Sequence, residues 1–116
     1  MGTSTDRREA LRLLEGLENG RMSPVQLALI AEDLDPVLLY VVVTYLRAAH
    51  QASDPAASGI LDRVVHLTST NRTLVRAHKE GERDPVTQWF ASEYDYGSFR
   101  GRPAALLDIV ADKLES

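Results

Sequence analysis

The sequence predicts an all-α fold: a compact single-domain bundle, residues 1–116, of five to six helices around a central apolar helix at about 36–51. Three observations carry this. Each of the five prolines precedes an apolar-rich stretch, and four follow a good helix-capping residue, at Ser23-Pro24, Asp35-Pro36, Asp54-Pro55 and Asp84-Pro85, with Arg102-Pro103 the exception. Proline's fixed φ suits a first helical turn, and a preceding Ser or Asp accepts from the free N–H groups behind it. Within the stretches, apolar residues recur at helical spacing, and no proline interrupts them. Finally, one run alone is strand-like, and it has no convincing second strand to pair with.

The first helix is expected to start within Thr3 to Asp6 and run to Glu18, with Leu11, Leu14 and Leu17 on one face and Leu13 beside it. Asn19-Gly20 supplies its stop. A second, short helix is expected from Pro24 to about Asp33, opened by the capping-box pattern Ser23-Pro24-Val25-Gln26, with Val25, Leu27, Ala28, Leu29 and Ile30 apolar. The third begins at Pro36. Between Val37 and Leu46 its only polar groups are Thr44 and the hydroxyls of Tyr40 and Tyr45, so it would be apolar on every face and belongs at the centre. Val41-Val42-Val43-Thr44-Tyr45 in isolation reads as a buried strand, but the Asp-Pro start and the continuation to Ala52 favour helix.

After Ser53-Asp54, the residues Ile60, Val64, Leu67, Asn71, Leu74 and His78 hold one helical phase across the polar patch Thr68-Ser69-Thr70-Asn71. That phase favours one helix over about Ala56 to Glu80, near 37 Å long at 1.5 Å per residue, ended by Gly81. A break at Thr70-Asn71 into two helices is the alternative. Asp84-Pro85 opens a short helix with Val86, Trp89 and Phe90, and Tyr94 to Arg102 reads as a loop. The last helix, Pro103 to Leu114, is expected to turn Leu106, Leu107, Ile109, Val110 and Leu114 inward and Asp108, Asp112 and Lys113 outward.

Length and composition bound the function. A chain of this size buries roughly two thirds of the surface its unfolded form exposes, enough for one modest core. With no cysteine, disulfides and thiol chemistry are excluded. Seventeen acids against thirteen bases give a formal charge of −4. That overall field disfavours nucleic acid as a partner unless a local basic stripe overcomes it. The first residues carry no apolar signal core and no run reaches the ~20 residues of a membrane span, so a cytoplasmic location and no membrane are expected. Eleven arginines to two lysines suggest a bacterial-like base-composition bias.

Catalytic signals are weak. His50, His66 and His78 have local acids, and Asp62 with His66 shares a helix face, but two ligands do not make a metal site. No nucleophile elbow or Walker loop occurs, so no catalytic residue, cofactor or metal is expected. Ser23 to Leu46 has the cadence of a helix-turn-helix, but its second helix offers Val-Leu-Leu-Tyr-Val-Val-Val where base edges require polar and basic groups. It reads as core packing.

Two features remain. Arg72, Arg76, Lys79 and Arg83 recur at four, three and four residues, stacking into one basic stripe able to meet an anion or an acidic partner. Five of the aromatics lie between Trp89 and Phe99, and Tyr94, Tyr96, Phe99, Arg100 and Arg102 are the candidate partner-binding residues. Whether the aromatics of this segment are core or surface stays open. The expectation is a small helical protein that binds another protein, as an adaptor, accessory or regulatory subunit. A nucleic-acid-binding regulator using the stripe is the alternative, and a homo-oligomer covering the apolar third helix remains open.

Overall fold

The computed structural model describes residues 3–18, 21–52 and 58–115 and is all-helical there, with eight helices where five or six were expected. They are α1 (Thr3–Glu18), α2 (Pro24–Asp33), α3 (Pro36–Ala52), α4 (Ser58–Thr70), α5 (Arg72–Glu82), α6 (Pro85–Glu93), α7 (Tyr96–Phe99) and α8 (Pro103–Glu115). The Asn19-Gly20 stop, the Asp54-Pro55 start and the side chains of Leu17, Ile60 and Val64 lie outside the described residues.

Capping chemistry explains the boundaries. Ser23 forms a full capping box: its hydroxyl accepts from Gln26 N at 3.2 Å, and the Gln26 side chain accepts from Ser23 N at 3.0 Å. Asp35 and Asp84 accept from Val37 N and Val86 N, both at 2.8 Å, at the starts of α3 and α6. Each satisfies a donor that has no partner inside the helix, a contribution of about 1 kcal/mol. Arg102-Pro103 opens α8 without such a cap, entered through Gly101 at φ +76°, a conformation that favours glycine.

The predicted central helix is α3. Val37, Leu38, Leu39, Val41, Val42, Val43, Tyr45, Leu46 and Ala49 are all buried. It packs chiefly on α5, then on α4 and α1, with α6, α7 and α8 around its other sides. Burial on all faces overrides the strand preference of its valines. It also removes the reason for a second subunit to cover α3. The radius of gyration, 13.0 Å, is that of a close-packed domain of this length.

The single long helix expected over 56–80 is two helices. Hydroxyls of Thr68 and Ser69 donate to the Val65 carbonyl and that of Thr70 to the His66 carbonyl, each at 2.9 Å, serving acceptors near the end of α4. Asn71 then leaves helical geometry, at φ −72° and ψ 119°, and its side chain caps α5 by accepting from Leu74 N at 3.2 Å. The apolar phase runs through because both helices press on α3, Leu74 fully buried and Leu67 partly. Periodicity reports which side faces the core and is blind to a backbone that has exchanged one hydrogen-bond ladder for another.

Gly81 does not end α5, which continues to Glu82. Its role is proximity: a Cβ there would stand 2.4 Å from the Pro36 carbonyl oxygen. The missing side chain lets the C-terminal turn of α5 sit on the first turn of α3. Thr87, buried on α6, locks this junction, its hydroxyl 2.6 Å from the carbonyl oxygens of both Gly81 and Asp84.

Candidate interaction surfaces

The aromatic segment resolves into a packed corner. Tyr94 stacks on Phe90 with centroids 4.6 Å apart and lies 6.4 Å from the Phe99 ring; Tyr96 leans on Tyr45 at 5.4 Å. The Tyr45 hydroxyl accepts from Gly101 N at 3.3 Å, tying the turn before α8 to the central helix. The chain of rings continues inward from Phe90 to Tyr40, edge to face at 6.2 Å, and from Tyr40 to a stacked His78 at 4.5 Å. Residues 96–99, expected as loop, form α7, whose Asp95 cap accepts from Gly97 N at 3.2 Å and from the Ser98 hydroxyl at 2.9 Å. Tyr94, Tyr96 and Phe99 are therefore half-buried packing groups, whereas Arg100 and Arg102 are exposed, with Arg102 bonded to the Ser98 carbonyl.

Burial shapes the titration of this chain of rings. The Tyr94 hydroxyl is buried and has no hydrogen-bond partner among the described residues. Burial first, then the neighbouring tyrosines Tyr45 and Tyr96 and the Asp95 carboxylate, hold its proton well above the ordinary phenol range. His78 shifts the other way: desolvation, followed by the Arg47 charge, lowers it, and Glu82 only partly opposes them. Its ring stacks on Tyr40.

The histidine chemistry also differs from the local pairing that spacing suggested. Asp62 turns to His50 on α3, bonding its Nε2, while His66 is exposed. Among the described residues no group of three or more His, Cys, Asp or Glu side chains is placed to hold a metal ion. No helix among them is long and apolar enough to cross a membrane.

Of the four basic residues, Arg72, Arg76 and Lys79 are exposed on α5 and Arg83 is exposed at its C-cap. Arg76 makes a long i, i+4 ion pair with Glu80, 3.8 Å, whose contribution at this exposure is small. Arg72 and Arg76 also wall a groove of about 590 Å³ between α5 and the α2–α3 turn. Its lining is mixed: Pro36 and Ala77 are apolar, Glu32 stands on the α2 side, and Thr73 and Glu80 join the two arginines on α5.

A second surface was not singled out from the sequence. On α2, Leu27, Ala31 and Leu34 are buried, while Val25 and Leu29 are 69% and 60% exposed, the most open large apolar side chains among the described residues. The signal was present in the spacing. Positions 27, 31 and 34 form one helical stripe, and 25 and 29 fall on the opposite side of it, so α2 carries more apolar surface than one contact face uses. Ile109 on α8, expected inward, is also exposed at 40%, because Leu106, Leu107 and Val110 complete the contact of that helix with the core.

No protein-family model, curated protein or solved structure matches the chain.

Proposed function

We propose that this chain is a small, non-catalytic interaction protein of the cytoplasm, an adaptor or regulatory subunit that binds an acidic segment of another protein along α5. The observation that carries this reading is the exposure of Arg72, Arg76 and Lys79 on α5 and of Arg83 at its C-cap, two of them beside a groove of mixed polar and apolar lining. An extended or helical segment with carboxylates at three- and four-residue spacing would place its acids on the arginines and a small apolar side chain beside Pro36 and Ala77. Arginine suits the task, because its planar fork meets a carboxylate in two parallel hydrogen bonds. Contact surfaces of this kind gain specificity and association rate from charge.

The role expected of Tyr94, Tyr96 and Phe99 moves in this reading to holding the α6–α8 corner, with Arg100 and Arg102 left as rim charges. The nucleic-acid alternative uses the same stripe, but the formal charge of −4 over the whole chain opposes a long, uniformly charged duplex more than a short acidic segment that meets the stripe alone. Fluorescence anisotropy with a labelled Glu-rich amphipathic peptide and with a labelled DNA duplex separates the two. The expected result is saturable peptide binding that the double variant Arg72→Glu, Arg76→Glu abolishes without a change in thermal stability. Duplex binding that weakens steeply with salt, with no peptide binding, would replace the proposal with the nucleic-acid reading.

A further inference from the structure

The charges of the groove between α5 and the α2–α3 turn balance, and they are ordered. Arg72, Arg76 and Glu80 line it at four-residue spacing, all exposed, so the α5 rim reads base, base, acid from the start of the helix toward its end. Glu32, also exposed, lines it from α2, and the half-buried Thr73, Ala77 and Pro36 line it as well. Lys79, Glu82 and Arg83 are not among its lining residues. Asp35 caps α3 through Val37 N, and Asp33 borders a separate recess with Asp6 and Glu9. A uniformly acidic segment laid along this groove would gain two arginines and meet two carboxylates that repel it.

We propose that the partner segment is a helix of mixed charge, carrying two acids and a base at successive four-residue positions, the acids on Arg72 and Arg76 and the base on Glu80. This rests on the reading that α5 receives an acidic segment, and it specifies the pattern that segment carries. Four residues of helix rise about 6 Å on both sides, so three pairs stay level when the two helices lie along each other. At about 590 Å³ the groove is within the usual size of a ligand cleft, and a helix laid in a groove is a recurrent mode of recognition. The Arg76–Glu80 pair, 3.8 Å long and on the surface, is weak enough to open. An incoming acid competes with Glu80 for Arg76, and an incoming base gives Glu80 a new partner. Specificity then comes from rejection as well as attraction, because a third acid in place of the base faces Glu80 with like charge.

Fluorescence anisotropy of the full chain with labelled helical peptides provides the test. One peptide carries Glu, Glu and Lys at four-residue spacing, a second carries the same three in reverse order, since either chain direction can lie along α5, and a third carries three Glu. The expected result is that the better of the two mixed peptides binds about fivefold tighter than the all-acid one. Glu80→Gln removes that preference and Glu80→Lys reverses it, with thermal unfolding showing that both exposed substitutions leave the fold intact. Equal or tighter binding of the all-acid peptide to the parent overturns the proposal, as does a preference that survives Glu80→Lys. The reading beneath it fails differently. If no peptide binds, or if binding ignores Arg72→Glu with Arg76→Glu, both fall together. Acidic-peptide binding that needs those arginines but is indifferent to Glu80 overturns the mixed-charge pattern alone.

Discussion

Tyr94→Phe is expected to stabilise the protein. The Tyr94 ring is held by Phe90 at 4.6 Å and by Phe99 farther out, contacts that a phenylalanine ring reproduces. Its hydroxyl is buried and meets no hydrogen-bond partner among the described residues. In the unfolded chain the same hydroxyl bonds to water. Folding therefore loses those bonds without replacing them, a cost of about 1–3 kcal/mol for a neutral polar group. Removing the hydroxyl should recover about 1 kcal/mol, which for a domain of this size raises Tm by roughly 4 °C. Tyr94→Ala, which also discards the stacked ring, should cost about 3 kcal/mol. Alkaline pH adds a second readout. The folded-state pKa is raised above the ordinary 10.0, so the unfolded chain releases its proton first and stability falls as pH climbs past 10. The advantage of Tyr94→Phe over the parent should then widen. Urea titrations of the three proteins at neutral pH, with the parent and Tyr94→Phe repeated above pH 10, measure these differences. A Tyr94→Phe variant less stable than the parent would refute the reasoning, because it would show that the hydroxyl has a productive partner.

Three further perturbations test the packing and caps. Gly81→Ala should destabilise by about 3 kcal/mol despite alanine's better helix propensity, because the new Cβ meets a backbone carbonyl oxygen at 2.4 Å; thermal unfolding reads it. Asn71→Ala should cost about 1 kcal/mol by uncapping α5 and is measured by urea denaturation, whereas a neutral outcome would favour a continuous α4–α5 helix. His78 has a folded-state pKa below the ordinary 6.5, so the unfolded chain takes up a proton first as the solution is acidified. Its contribution should be fully present above pH 6.5 and be lost as pH falls through the lowered folded value. NMR titration of the His78 ring and melting curves of His78→Gln check this, the variant losing that part of the acid sensitivity.

Much of the architecture was legible because it is written in local chemistry. Ser23-Pro24, Asp35-Pro36 and Asp84-Pro85 each start a helix where the capping geometry requires one. Arg72, Arg76 and Lys79 share a side of α5 by counting residues, because all three fall within one unbroken helix. The aromatics of 89–99 were harder. A tyrosine in a Gly- and Ser-containing segment has the same composition whether it greets solvent or a neighbouring ring, and here Phe90 and Tyr45 supply the neighbours. The α2 ridge was readable in principle from the opposition of 25 and 29 to 27, 31 and 34. Choosing which stripe is inside required knowing where α1, α3 and α5 lie.

The sequence by itself determined the class, the starts of the Pro-led helices within the described residues and the central place of α3, since caps act within one turn and an all-apolar helix must be wrapped. Tertiary structure alone decided three other matters: the break at Asn71, the passage of α5 over Pro36 at Gly81, and the inward turn of Tyr94 and Tyr96. Each depends on an atom far away in the chain, a carbonyl oxygen on α3 or a ring on another helix. Periodicity sums over a face and carries no record of what presses against it.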